Sequence, residues 1–479
     1  MFRRGLTQGV VCTTVGPKDQ MITIPPGTGR SARLERRLTE PVLAIDQGTS
    51  GTKALVICPE RGVIGSGSAP VRPRYGGANQ GETVLAWDPA TGRPLTDAVV
   101  WQDRRAEGIC GELTAHGDEL KRLTGLPLDP YFAAPKMAWI RRELTREGVV
   151  TTSDSWLVHQ LTGAFVTDAA TAGRTQLLGL RDVDWSPAAL EVFGLSDERL
   201  PDVVDCAGPV GTTTAFGGEV PLTGLLVDQQ AALLAQNALE PGQAKCTYGT
   251  GAFLLAQTGR RPSTGSSGLV SCVAWRLGGR TDYCLDGQVY TAASAVRWLT
   301  GLGVISGAAD LDPVGASVSD TGGVTFVPAL AGLAAPWWRS DLRGSLTGLG
   351  LDTTAGHLVR ALCEGIAAQV VALADAAASD LGSPLTALRV DGGLTRSSLL
   401  MQTQADLLQR PVEVSALPDV TALGAGVVAR LGLDPRLPPS SATPEWRPSA
   451  VYEPRIGPEE ASERLAGFRA AVDGLRERA

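Results

Sequence analysis

Leu43-Ala-Ile-Asp-Gln-Gly-Thr-Ser-Gly-Thr-Lys-Ala-Leu-Val-Ile57 sets a tight turn of Asp, Gly and small hydroxyl residues between two apolar strands. A turn of this composition leaves backbone N–H groups unshielded, free to converge on an anion such as a phosphate. Cys246-Thr-Tyr-Gly-Thr-Gly-Ala-Phe-Leu-Leu-Ala256 repeats the layout about two hundred residues later. One such turn is a weak signal. Two, one in each half of the chain, predict two related lobes that grip a nucleotide's phosphates from opposite sides.

The surrounding chain is long enough for this arrangement. Its 479 residues exceed what one core supports and predict two domains of ordinary size. Hydrophobic residues make up 43% and charged residues 19%, a globular balance. The net charge is −7, and basic residues cluster no further than pairs such as Arg104-Arg105 and Arg141-Arg142. Nucleic acid is therefore not an expected partner. Eight cysteines are scattered without a CxxC pair, and only three histidines occur, which argues against a structural zinc site or a disulfide framework and for a cytoplasmic protein. The apolar stretch after Arg3 and Arg4 is too short for a signal-peptide core, and no run approaches the ~20 apolar residues of a membrane span, so no membrane association is expected.

Residues 1–40 read as a disordered extension, with Met21 available as a later start. Strand-type runs at 42–46, 53–58 and 62–66 open a first domain over 41–240. Helical periodicity is predicted from Tyr131 to about Arg146, with Pro135 in the first turn, and again from Asp228. Glu240-Pro-Gly-Gln reads as the interdomain turn, followed by a second domain over 241–432. Within it, Leu358, Leu362, Ile366, Val370 and Leu373 mark a core-facing helix over 354–381, leading into a third glycine-rich turn after Leu388-Arg-Val-Asp. A tail over 433–479 ends in a helix from about Glu459, with Leu465, Phe468, Val472 and Leu475 on one face.

Two carboxylates stand out. Asp46 ends an apolar strand and faces the turn Gln47-Gly48-Thr49-Ser50. An acidic group beside a phosphate cradle is reasonable when Mg²⁺ lies between them; the plainer reading is an Asx-turn residue that closes the hairpin. Asp228 emerges from the apolar Leu225-Leu-Val into Ala231-Ala-Leu-Leu, beside the interdomain turn. It is either a catalytic carboxylate or an ordinary helix cap.

Ala44-Ile-Asp-Gln-Gly-Thr-Ser, Val100-Trp-Gln-Asp-Arg-Arg, Asp129-Pro-Tyr-Phe, Asp228-Gln-Gln-Ala-Ala, Thr247-Tyr-Gly-Thr-Gly-Ala-Phe and Val390-Asp-Gly-Gly together resemble the FGGY carbohydrate kinases, most closely the glycerol-kinase branch. Two signature-like stretches add to this: Tyr131 to Glu143 with Lys136 and Trp139, and Gly344-Ser-Leu-Thr-Gly-Leu-Gly through to Glu364. The likeness runs collinearly over roughly 41–432. It implies an α/β fold of two actin-like, ribonuclease-H-like ATPase domains with ATP in the cleft between them. It also implies that Asp228 is the general base on the acceptor hydroxyl and a metal neighbour, and that Asp46 holds Mg²⁺ through water. Thr49, Ser50, Gly51, Lys53, Gly249, Thr250, Gly251, Gly392, Gly393 and Ser397 would bind ATP. Glu82, Tyr131, Asp228, Gln229 and Phe253 would bind a small polyol or sugar, with a homo-oligomer as a possible assembly.

Several departures bear on the acceptor. The glycerol-kinase branch carries Asn-Gln-Arg-Glu where this chain has Asn79-Gln80-Gly81-Glu82, so a guanidinium fork is lost. That predicts either weaker glycerol binding or an enlarged pocket for erythritol, xylulose or ribulose. Only Gly76-Gly77-Ala78 separate Tyr75 from Asn79, where related kinases place a loop, a helix and a strand, about 17 residues for the two elements alone. The first domain is therefore expected to be shortened, its sheet lacking a central member, with a catalytically impaired nucleotide-binding homologue as the competing outcome. Ala293, Arg297 and Ser397 replace residues that approach the nucleotide in the branch, whereas Lys53 keeps the charge of an Arg. An actin-like filament or chaperone-type ATPase would need no acceptor pocket, and Asp129-Pro-Tyr-Phe and Gln229 argue against it.

Overall fold

The computed structural model describes residues 10–14, 41–47, 51–58, 61–70, 81–263, 266–417 and 419–478. Its strands include β1 (Val10–Thr14), β2 (Val42–Gln47), β3 (Gly51–Cys58), β4 (Gly62–Pro70), β5 (Ala207–Thr213) and β6 (Val220–Leu226). The second half adds β7 (Ala244–Tyr248), β8 (Ala252–Gly259), β9 (Val270–Leu277), β10 (Arg280–Val289), β11 (Leu388–Asp391), β12 (Val412–Ser415) and β13 (Pro448–Tyr452). These thirteen strands form one sheet in the order β13-β12-β11-β7-β8-β10-β9-β5-β6-β1-β2-β3-β4. The two halves join where Ala207 of β5 pairs with Leu277 of β9.

Each half is built around an antiparallel meander. In the second, β7 pairs with β8 and β8 with β10, while β11 and β12 run parallel to β7 on its other side. In the first, β2, β3 and β4 form the corresponding meander. The position next to β2 matches that of β11 next to β7, and it is here that the sequence predicts a missing strand. The structure fills it with β1, which lies antiparallel to both β2 and β6. Val10–Thr14, inside the expected extension, is thus an interior strand; the rest of that extension and residues 71–80, where the shortening is expected, lie outside the described residues.

The helices include α1 (Ala133–Glu143), α2 (Asp228–Ala235), α3 (Ala293–Gly301), α4 (Ala355–Leu381), α5 (Ser398–Leu408), α6 (Val420–Leu433) and α7 (Pro458–Arg476). With helices packed on it, the second-half sheet has strands buried along most of their length, as in β8 and β10, rather than alternating. The predicted stripe of α4 is confirmed: Leu362, Ile366, Val370 and Leu373 are buried in the core of the second half. This helix is long and apolar enough to cross a membrane, yet 78% of its most apolar window is buried inside the protein, which marks it as a core helix. Leu465, Phe468 and Val472 of α7 pack against Ala368 and Val371 of α4. α6 lies beneath β2 and β6 and against α2, so close that a Cβ added to Gly424 would stand 1.9 Å from the Ala231 carbonyl oxygen.

Candidate active site

β6 ends at Leu226, Val227 takes the extended conformation of an N-cap, and Asp228 is the first residue of α2. The carboxylate is therefore not the cap of its helix. One oxygen accepts the Gln229 backbone N–H at 2.7 Å, and the other faces the Gln229 amide at 3.3 Å. Burial pushes its pKa up, opposed chiefly by the ammonium of Lys245. Lys245 is itself fully buried on β7, donating to Gln229 Oε1 at 2.5 Å and to Thr247 Oγ1 at 3.0 Å. Asp46, at the end of β2, is raised to about 7 by burial and then by the charge of Asp228. Two carboxylates close enough for the charge of one to raise the proton affinity of the other form a donor set suited to a hard divalent cation.

The acceptor residues implied by the resemblance come together. Glu82 is 3% exposed and takes the Nε–H of Arg174 at 2.7 Å. Arg174 extends its Nη1 to Asp286 on β10, also at 2.7 Å, so one buried guanidinium ties the first half of the chain to the second. Its Cζ lies 5.7 Å from the centre of the Tyr131 ring and 5.5 Å from that of Phe132, a cation–π arrangement. Tyr131 and Phe253 each meet the Trp101 ring edge to face, at 5.6 and 5.9 Å. A cavity of about 260 Å³ lined by Trp101, Gln102, Arg104, Tyr131, Tyr290 and Ala331 opens beside them. Lys136 is buried beneath, its ammonium held by the carbonyls of Pro130, Tyr131 and Phe132, with its pKa lowered to about 7 by burial.

Gly81 stands beside this cluster, but the space is not open. A Cβ built there would lie 2.5 Å from Val227 Cγ2 and 3.8 Å from Arg174 Cγ. The enlargement predicted from the lost guanidinium is thus closed on this side by Val227.

On the phosphate side, Gly249, Thr250 and Gly251 turn between β7 and β8. The carbonyls of Gly249 and Thr250 accept N–H groups of Ala293 and Ser294 at the start of α3, which leaves the turn's own N–H groups unused by that contact. Gly251 must lack a side chain, because a Cβ would sit 2.3 Å from the Val289 carbonyl oxygen. Gly392 adopts φ +101 and approaches Tyr248 so closely that a Cβ would lie 2.4 Å from its carbonyl oxygen, whereas Gly393 faces open space. Ser397 caps α5 and binds Asp312 at 2.5 Å, so its hydroxyl serves the helix start rather than standing free for a base. Lys53 is exposed and ion-paired with Asp419. Gly51 begins β3; Thr49 and Ser50 lie outside the described residues. Among the described residues, no group of three or more His, Cys, Asp or Glu forms a metal cage.

Arg174, Lys245, Asp391, Asp286 and Gln288 were missed by the sequence reading. Asp391 accepts from Thr247 at 2.6 Å and from Gln236 at 3.1 Å, adding a second polar link between the halves. Four of the five carry a detectable signal: Lys245, Asp286 and Gln288 are polar residues inside an apolar strand run, as in Tyr283-Cys-Leu-Asp-Gly-Gln-Val289, and Asp391 ends one. Arg174, in a helix-to-strand connection, carries none.

Comparison with known proteins identifies the family and the fold. The model for the FGGY family of carbohydrate kinases, N-terminal domain, matches residues 75–235, and that for the C-terminal domain matches residues 244–432. Glycerol kinase from Alkalilimnicola ehrlichii is 39% identical, with 90% of this chain and 98% of the relative covered. Glycerol kinase from Thermus brockianus is 43% identical over 83% of each. The crystal structure of Plasmodium falciparum glycerol kinase with ADP superposes with a TM-score of 0.82 at 29% identity, covering 90% of this chain and 97% of the other. Xyloylose kinase from Brucella ovis shares the fold at a TM-score of 0.81 and 24% identity. With both halves matched and the two-lobed ribonuclease-H-like architecture shared, the chain belongs to the FGGY family of carbohydrate kinases.

Proposed function

We propose that this kinase transfers the γ-phosphoryl group of ATP to a primary hydroxyl of glycerol, giving glycerol 3-phosphate. The observation that carries the reading is the placement of Asp228: a carboxylate at the start of α2, held by Gln229 and within reach of the charges of Glu82, Arg174 and Asp46. A carboxylate of raised proton affinity is a better base than an ordinary one, and a positioned base contributes about 10²–10⁴-fold to such a transfer.

The chain's own residues account for the steps. Asp228 takes the hydroxyl proton as the oxygen attacks phosphorus, while Gln229, anchored by Lys245, holds the carboxylate's orientation. Glu82 accepts from a second hydroxyl, and the Tyr131 and Phe253 rings lie along the carbon skeleton. Backbone N–H groups of Gly249, Thr250 and Gly251 stabilise the phosphate oxygens, as positioning and charge neutralisation dominate phosphoryl transfer. Asp46 and Asp228 fit Mg²⁺ as its holders, and the ion, when bound, would supply charge neutralisation at the phosphates. Val227 against Gly81 favours a small acceptor over erythritol, xylulose or ribulose.

ADP release measured across these four acceptors tests the reading, with the highest kcat/KM expected on glycerol. Absence of turnover on glycerol overturns it, and ADP binding without any turnover would favour the impaired homologue. Asp228→Asn is expected to lower kcat by at least about 10²-fold with ADP affinity retained; equal turnover in the variant removes Asp228 as the base.

A further inference from the structure

β10 carries two polar side chains through the middle of a buried sheet. Asp286 and Gln288 are 2% and 1% exposed, and alternation along the strand sets both on one face. Gln288 donates its amide N–H to Asp286 Oδ2 at 3.2 Å, and the same oxygen receives Arg174. What remains is a pair of open acceptors: Asp286 Oδ1 and Gln288 Oε1 are both buried and both without a hydrogen-bond partner within the protein. Leaving such groups unpaired is unfavourable, and native proteins seldom do so without an occupant for the site.

Their neighbours say what the occupant is. Gln288 is the register partner of Phe253 across β8, and Asp286 is linked through Arg174 to Glu82 and to the Tyr131 ring. The two free atoms are both acceptors, so they call for a donor; cations are already supplied by Arg174 and Lys245, which leaves a neutral hydroxyl. We infer that Gln288, held by Asp286, is a specificity-determining residue of the acceptor pocket, binding a hydroxyl of the polyol that is not the one phosphorylated. This rests on the proposed polyol kinase activity and adds a contact from the second half of the chain. Hydrogen bonding to the acceptor would thus draw on both lobes, so that an acceptor lacking this hydroxyl keeps only the apolar contact of Phe253 with the second.

Gln288→Leu keeps the volume and removes the acceptor atom. The test is the ratio of kcat/KM for glycerol to that for 1,2-propanediol and for 1,3-propanediol, each of which lacks one hydroxyl. Such a ratio does not depend on how much of the variant is folded. Loss of one neutral hydrogen bond is expected to lower kcat/KM for glycerol about tenfold, mostly through KM, while the diol without the contacted hydroxyl changes little and ADP affinity stays the same. Unchanged ratios against both diols in an active variant overturn the inference and leave the kinase reading standing. A wild-type enzyme inactive on every polyol overturns both.

Discussion

Asp46 combines a stability liability with the proposed role in holding the metal ion. Its carboxyl has an ordinary pKa of 3.8 and is raised to about 7 in the folded protein by burial and by Asp228. The folded state therefore keeps a proton that the unfolded chain releases, and stability falls as pH rises from about 4 to about 7. Asp46→Asn removes that titration. Urea unfolding in EDTA should find the variant more stable than wild type, by a margin that widens between pH 5 and pH 8 towards a ceiling of about 4 kcal/mol set by the shift. A constant margin across this range would contradict the raised pKa. Asp46 and Asp228 drew notice in the sequence because one ends an apolar strand at a glycine-rich turn and the other follows an apolar strand at a helix start. Arg174 did not, because what gives it meaning is two carboxylates far along the chain, at positions 82 and 286.

Among the elements, α2 is the one whose placement aims the candidate base. It is short and depends on α6, where Gly424 lets the Ala231 carbonyl come within what would be 1.9 Å of a side chain. Gly424→Ala must push the two helices apart, because the obstructing atom is backbone and has no rotamer to move into. Overpacking of this kind typically destabilises by about 1–3 kcal/mol. Here it should also lower kcat, since the first residue of α2 is Asp228; a thermal melt alongside the ADP-release assay separates the two effects. A variant equal to wild type in both would refute the tight crossing. The helices themselves were readable from periodicity: 131–146 was expected and Ala133–Glu143 is observed, and 354–381 closely matches Ala355–Leu381. Their crossings were not readable, because a glycine in a helix leaves the same mark in sequence whether it faces solvent or another backbone.

The whole molecule depends on a sheet whose first half takes its central strand from an unexpected part of the chain. The shortening expected after Gly77 predicts a gap, and β1 occupies the equivalent of β11, but antiparallel. Composition could not reveal this, since five residues, Val10 to Thr14, are too few to show a period against a polar background. A proline at Cys12, which pairs with both Gly224 and Ala44, removes a backbone donor between two strands and should lower stability by about 1–3 kcal/mol. A urea midpoint unchanged by Cys12→Pro, or by deletion of residues 1–20, would show that the strand is dispensable. The order in which these partners leave the ribosome has its own effect. Val10–Thr14 and β2 emerge early, yet β6 follows only after about two hundred further residues, so one flank of β1 stays unpaired through much of synthesis. Until β6 arrives, the nascent chain carries an open edge of strand, which makes translation speed and chaperone supply determinants of its yield.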